Sequence, residues 1–358
     1  MMSRPRRLAL AVTGLVGVAA LAVGCAGGSG AAAPSGDSED PAISGQIIWA
    51  DFGGPTNESR QIAYFDGFFD DTDVEVVSTS IEDAIYYPML EGEEGDYDVF
   101  QVSTADVLAY PDHIQEIPEA ARGDLVDEDL RPYVMGGFYI GVAQGWLTET
   151  FPDGGPQDWV DFFDTEKYPG KRAWPGSPGF FDGSYEIALL ADGVAVEDLY
   201  PLDLERATAK LNTIRDDLVF YQSYPEVQQL LSSGSAAIAV TVTGQFTALQ
   251  RSGLDVTVQW NQAFQALNGF VIPEKSNNPD AVKALAEWIN DPVNQAVFTE
   301  RTLYGPVNSA VFDELPPEVA ANVVNSPEHA DTLISWDEQW RADNKDLLLE
   351  SYGTWLAG

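Results

Sequence analysis

The pattern that most constrains the fold is an alternation of short apolar segments with helical ones. Segments rich in β-branched and aromatic residues occupy positions 45–49, 74–77, 97–102, 139–144, 171–174 and 236–243. Segments with helical apolar spacing lie between and after them. Strands that alternate with helices are typical of α/β proteins. The sequence therefore predicts an α/β fold.

Helix starts are clearest in the second half of the chain. Asp203 precedes apolar residues that recur at helical spacing from 204 to 214, so we expect it to cap a helix. Asn278-Pro279 and Asp291-Pro292 each place a proline where the first turn of a helix tolerates it. Two further helices are predicted to begin at these prolines.

The N-terminus reads as a targeting segment. Three arginines within the first seven residues precede the apolar stretch 8–23, which is too short to span a bilayer comfortably. Cys25, the only cysteine, follows directly after Gly24 at the end of this stretch, in a sequence that resembles a lipobox. We therefore expect residues 1–24 to be a signal peptide and 25–44 a lipidated Cys25 with a flexible tether. The alternative is an ordinary cleaved signal followed by a chance cysteine.

Composition limits the partners of the remaining chain. The whole sequence has 18 basic and 57 acidic residues and a formal net charge of −39, and removal of residues 1–24, which contain three arginines and no acid, makes it −42. So acidic a surface repels nucleic acid and anionic lipid headgroups. The acidity either attracts a cationic ligand or serves solubility and salt tolerance. We predict no nucleic-acid partner and a location on the outer face of the cell membrane, periplasmic or extracellular.

The sequence lacks the usual patterns of catalysis. Only two histidines, His113 and His329, are present, and they lie far apart in sequence. There is no Gly-x-Ser-x-Gly elbow, Walker-type phosphate loop or Gly-x-Gly-x-x-Gly motif. These features predict a binding protein without metal or cofactor rather than an enzyme. A secreted hydrolase with two carboxylates and a non-catalytic envelope lipoprotein remain as alternatives.

Five segments together resemble a known family. They are Trp49-Ala-Asp-Phe-Gly-Gly with the helix after it, and the segments 159–172, 268–273, 304–308 and 336–340. In this order they are similar to bacterial extracellular solute-binding proteins of ABC importers, of the family 1 type that includes spermidine- and putrescine-binding proteins. The resemblance extends over about residues 45–356.

The resemblance implies a two-lobed, type II periplasmic-binding-protein-like fold with the ligand cleft between the lobes. Lobe one would comprise residues 45–144 and 269–308, and lobe two residues 147–264 and 309–358. Crossings near 144–147 and 266–270 would let the lobes close on a solute by a hinge motion. The protein would act as a monomer that delivers its solute to a membrane permease.

The resemblance also suggests cleft residues, mostly in loops that follow strands, where α/β sheets bind ligands. The expected ligand contacts are Asp51, Phe52, Ser103, Thr104, Asp182, Glu186, Thr243, Trp260, Asn268, Tyr304 and Asp337. Carboxylates would pair with ammonium groups and aromatic faces would hold methylene chains, which suits putrescine or spermidine. Asp51 has a structural alternative as a turn or capping residue, Trp260 as a core residue and Glu186 as a solvated helix residue. Tyr304 has a structural alternative as well.

Two positions depart from the polyamine pattern. Asn268 stands where polyamine binders commonly carry an aspartate, and Val242-Thr243 where they commonly carry a tryptophan. The segment 53–57 at a helix start also offers backbone N–H groups to an anion. A phosphonate, carboxylate or iron ligand therefore stays open at this level.

Overall fold

A single mixed sheet organises the protein. The computed structural model describes residues 43–53, 55–177 and 183–358. Within them the strands are β1 (Gln46–Asp51), β2 (Glu75–Ser80), β3 (Val99–Val102), β4 (Met135–Leu147), β5 (Arg172–Pro175), β6 (Leu218–Tyr221), β7 (Ile238–Val242), β8 (Val256–Val271) and β9 (Ile334–Ser335). Each of the six predicted strands overlaps an observed one, and the α/β class is confirmed.

The helices lie between and after the strands. The α-helices are α1 (Pro55–Arg60), α2 (Asp66–Thr72), α3 (Asp83–Leu90), α4 (Thr104–Ala109), α5 (Trp159–Phe163), α6 (Ser184–Ala191), α7 (Leu204–Asn212), α8 (Tyr224–Ser232), α9 (Gly244–Arg251), α10 (Pro279–Asn290), α11 (Pro292–Thr302), α12 (Val311–Glu314), α13 (Pro317–Ala320), α14 (Glu338–Asp343) and α15 (Lys345–Ala357). A π-helical stretch, Gln61–Phe65, joins α1 to α2. Among the described residues, no helix combines the length and apolarity that crossing a membrane requires.

Two of the predicted helix caps are made by side chains. Asp203 accepts a hydrogen bond from the Arg206 N–H at 3.0 Å, and Asp291 accepts one from the Val293 N–H at 2.9 Å. Asn278 makes no such cap; its side chain instead donates to the Ser44 carbonyl at 3.0 Å. The helix after it still begins at Pro279, as predicted.

The sheet consists of two parallel sets held together by an antiparallel pair. The strand order is β2-β1-β3-β8-β4-β7-β5-β6, with β9 on β8. Strands β2, β1 and β3 run parallel to one another, as do β7, β5 and β6. The pair β4 and β8 runs antiparallel between the sets.

The two parallel sets attach at opposite ends of the β4–β8 ladder. That ladder extends from Met135 opposite Phe270 to Leu147 opposite Val256, with two register shifts along the way. β3 pairs near the end of β8, at Gly269. β7 pairs near the end of β4, from Val142 onward. Two long strands therefore run through both halves of the molecule.

Each half has its own apolar core. Around β1 the core contains Trp49, Phe65 and Phe270. Around β5 and β7 a larger cluster contains Trp174, and the C-terminal helices contribute Tyr352 and Trp355 to it. The helix α14 also lies against α4 on the other half. The C-terminal tail, residues 336–358, thus contacts both halves of the molecule.

A buried ion pair fixes the end of β1. Asp51 is fully buried, and its Oδ2 lies 2.5 Å from Nη2 of Arg60, which is 2% exposed. The other oxygen of Asp51 accepts from the Gly53 N–H at 2.6 Å. Burial lowers the pKa of the Arg60 guanidinium, and the Asp51 carboxylate opposes that shift. The carboxylate thus ties the loop after β1 to α1.

Replacement of Asp51 is expected to destabilise the fold strongly. Asp51→Asn leaves the Arg60 charge buried without a counter-charge, and breaking a buried pair costs about 3–5 kcal/mol. Asp192→Asn is the matched control, since its partner Arg206 is 45% exposed and such surface pairs contribute about 0–1 kcal/mol. Urea unfolding of both variants measures the difference. Equal midpoints for the two would contradict a structural role for the Asp51–Arg60 pair.

Candidate ligand-binding site

A cleft of about 1240 Å³ opens where the two strand sets meet. Its walls include residues that follow β1, β3 and β7, where ligands bind in α/β sheets. The middle of the β4–β8 ladder forms its floor through Phe138, Ile140 and the stretch 266–268. Helices α14 and α15 supply a further wall. Both halves of the molecule thus contribute to one cavity.

Six of the expected ligand contacts line this cleft. They are Phe52, Ser103, Thr104, Glu186, Asn268 and Tyr304. Phe52 is 71% exposed, more than any other large apolar side chain that the structure describes, so its ring is available to contact a ligand. The structure brings these residues together, and their contact with a ligand stays a prediction.

Four other expected contacts lie outside the described lining. Asp51 is buried in its ion pair with Arg60. Thr243 is 6% exposed and stands directly before α9, between the lining residues Val242 and Gln245.

The remaining two have structural roles that the geometry makes plain. Trp260 stacks on His329 with ring centroids 4.7 Å apart. Asp337 caps α14 by accepting from the Trp340 N–H at 2.8 Å. Asp182 lies outside the described residues.

Several lining residues were not anticipated from the sequence. They include Tyr86 and Tyr87 on α3 and three charged residues of the tail, Glu338, Arg341 and Lys345. The tail residues fall three and four positions apart, a helical spacing that the sequence does display. In the structure they lie on two helices, Glu338 and Arg341 on α14 and Lys345 on α15, and nothing in the spacing predicts that both helices meet the cleft.

Polar side chains on the sheet side of the cleft are already hydrogen-bonded. The Gln101 side chain donates to Oδ1 of Asn268 at 3.0 Å. Ser103 and Asp106 form a capping box at the start of α4, with a 2.7 Å hydrogen bond between their side chains. Next to them, Phe138 and Tyr304 stack with ring centroids 5.0 Å apart. These contacts hold the polar side chains of this wall in place before a ligand binds.

Glu186 has a protein partner inside the cleft. It is 1% exposed and forms an ion pair with the Arg341 guanidinium. The hydroxyl of Tyr200 donates to the same carboxylate at 2.9 Å. Burial raises the pKa of the Tyr200 hydroxyl, and the Glu186 charge reinforces the shift. The negative charge of Glu186 is therefore compensated before any ligand enters.

Glu338 lies beside this pair in a partly buried position. Burial raises the pKa of its carboxyl, the Arg341 guanidinium opposes the shift, and the carboxylates of Glu186 and Asp337 reinforce it. Because the folded state holds the Glu338 proton more tightly, this group stabilises the fold below its ordinary pKa of 4.5. That contribution is lost as the pH rises through the raised pKa.

Glu338→Gln is therefore expected to be more stable than wild type at pH 7. Glutamine has no ionised form to desolvate, and the advantage should shrink as the pH falls to about 4, where glutamate is protonated. Urea unfolding across this pH range measures the difference. Glu94→Gln, which removes an exposed charge, controls for reduced repulsion in a protein of net charge −39. A gain at pH 7 no larger than that of the control would contradict the assignment.

Comparison with known proteins identifies relatives over most of the chain. Residues 68–327 match the bacterial extracellular solute-binding protein family. The gamma-aminobutyric acid (GABA)-binding protein of Pseudomonas aeruginosa is 26% identical over 322 residues, which cover 86% of this chain and 89% of the relative.

Solved structures agree with this similarity. A GABA receptor is 27% identical with a TM-score of 0.74, covering 87% of this chain and 98% of the receptor. A substrate-binding protein of an ABC transporter from Bradyrhizobium japonicum is 26% identical with a TM-score of 0.72, covering 87% and 99%.

The two-lobed periplasmic-binding-protein fold expected from the sequence is therefore confirmed. The narrower resemblance to spermidine- and putrescine-binding proteins is not what these similarities show, since the ligands in the relatives' descriptions are GABA, agropinic acid and glucopine. Because residues 68–327, well over half of this chain, match the family model, the chain belongs to the bacterial extracellular solute-binding protein family.

Proposed function

We propose that this chain, as the solute-binding component of an ABC importer, binds a small zwitterionic amino acid such as GABA. The observation that carries the proposal is the charge balance of the cleft. Among its described lining residues, three are acidic (Asp106, Glu186, Glu338) and two are basic (Arg341, Lys345). The chain as a whole has 57 acidic and 18 basic residues. The cleft is thus nearly neutral within a strongly acidic protein.

A nearly neutral cleft with both signs of charge suits a solute that carries both. GABA has an ammonium group at one end and a carboxylate at the other, and each prefers an opposite charge with hydrogen bonds. Similarity to two GABA-binding proteins over at least 86% of this chain supports the same solute class.

The polyamine hypothesis fits the cleft less well. Putrescine has an ammonium group at both ends, so it would place positive charge against Arg341 or Lys345, and like charges repel. The most buried acid, Glu186, is already paired with Arg341. Asn268, which stands where a carboxylate was expected, is engaged with Gln101. The described lining therefore supplies few uncompensated acids for a diamine.

Three solutes of the same four-carbon length separate the hypotheses. GABA, putrescine and succinate carry mixed, positive and negative ends respectively. At 100 times its dissociation constant, a ligand that binds only the folded state adds about 2.7 kcal/mol of stability. In thermal unfolding of the protein lacking residues 1–24, we expect GABA to stabilise and the other two to leave the transition unchanged.

Scattering on the same samples tests the closure that this function requires. GABA is expected to lower the radius of gyration in solution, since hinge closure on a ligand makes a two-lobed protein more compact. Stabilisation by putrescine alone would restore the polyamine hypothesis, and stabilisation by succinate alone would indicate an anion-binding protein.

The proposal includes attachment to the membrane through lipid on Cys25, beside a permease that receives the solute. Support comes from the apolar stretch that ends at the only cysteine. Cys25→Ser is expected to move the protein from the membrane fraction to the soluble fraction, or to leave it unprocessed. Unchanged processing and membrane retention would exclude the lipid anchor while leaving the solute-binding proposal intact.

A further inference from the structure

The charged residues of the cleft differ in whether the protein already neutralises them. Glu186 and Arg341 form an ion pair, and the Asp106 carboxylate is held by Ser103 in the capping box. Glu338 and Lys345 line the same cavity, yet neither side chain makes a hydrogen bond or ion pair with any described residue. The cavity therefore contains one negative and one positive charge without a hydrogen-bonded partner among the described residues. The Arg341 charge acts on Glu338 from nearby, and Lys345 is exposed to solvent.

These two charges belong to neighbouring helices of the tail. Glu338 is the first residue of α14, and Lys345 is the first residue of α15. They are seven residues apart in sequence, on two helices that are separated at Asn344. Arg341 lies between them in sequence, where its ion pair with Glu186 holds it. Because both side chains line the same cavity, a short molecule with opposite charges at its ends can contact both of them.

The position of Lys345 is not explained by helix stability. A cation in the first turn of a helix opposes the helix dipole, which favours negative charge there. Asn344, at the N-cap of α15, makes no side-chain hydrogen bond to the first turn either. Asp346, in the same first turn, has the charge that the dipole favours, so helix stability does not account for the cation at Lys345.

We propose that Glu338 binds the ammonium group of the solute and Lys345 binds its carboxylate. This assignment rests on the proposed function and adds the orientation of the solute. The partly buried Glu338 gains a hydrogen-bonded counter-charge, which none of the described residues supplies, and Lys345 gains an anion at the start of its helix. The tail, rather than the loops after the strands, would then select for a zwitterion.

The carboxylate end is tested with Lys345→Gln and a pair of solutes, GABA and 4-amino-1-butanol, which has a hydroxyl in place of the carboxylate. Hydrogen bonds to charged groups are worth enough to change affinity by about tenfold to a hundredfold. Calorimetry should show that Lys345→Gln weakens GABA by this factor and leaves 4-amino-1-butanol almost unchanged. Lys275→Gln, which removes an exposed charge outside the described lining, should change neither.

The ammonium end is tested in the same way with Glu338→Gln, GABA and butyrate, which lacks the ammonium group. We expect the variant to weaken GABA by at least about tenfold and to leave butyrate unaffected or slightly improved. Glu94→Gln is the control for a lost surface acid. Such cycles between a side chain and a ligand group isolate the contact between them.

The outcomes separate this inference from the function on which it rests. If wild type binds GABA but Lys345→Gln keeps its preference for GABA over 4-amino-1-butanol, the carboxylate lies elsewhere and the assignment is wrong. Equal weakening of both solutes would show that Lys345 acts on the fold, which also overturns it. If wild type binds no GABA, the proposed function itself fails.

Discussion

The antiparallel ladder between β4 and β8 is the contact on which the rest of the architecture depends. Every other strand of the described sheet joins it directly or through a neighbour: β3 and β9 on β8, and β7 on β4. The parallel sets attach at opposite ends of the ladder, and the cleft opens over the part of it that contains Phe138, Ile140 and residues 266–268. The floor of the cleft is therefore the same pair of strands that joins the two halves.

The sequence predicted the parts of the fold that local patterns encode. The strands near 45–49 and 236–243 are apolar and β-branched, and Asp203 and Asp291 precede clear helical spacing. The long strand β8 was missed because its burial pattern is irregular and Gln259, Asn261 and Gln265 interrupt its apolar residues. A strand that forms a cleft floor faces a solvated cavity, so it lacks the alternation expected of a strand over a closed core.

The candidate site was predictable where it follows strand ends. Phe52, Ser103 and Thr104 were expected in the cleft on that argument, and the structure places them in its walls. Trp260 looked similar in sequence, but it stacks on His329. That contact joins residues 69 positions apart, and no local rule reveals it. The same holds for Glu338 and Lys345, which reach the cavity only because the tail folds back across it.

The hydroxyl of Tyr352 fixes the position of the tail through hydrogen bonds to the end of β5. It donates to the Pro175 carbonyl at 2.8 Å and accepts from the indole N–H of Trp174 at 3.0 Å. The tail from 336 onward contains no strand, so exchanging its residues breaks no inter-strand hydrogen bond. The same stretch therefore supplies core residues, Tyr352 and Trp355, and cavity-lining charges, Glu338 and Lys345. Substitution of the lining residues alters the wall of the cavity while the strand pairing and the core stay intact.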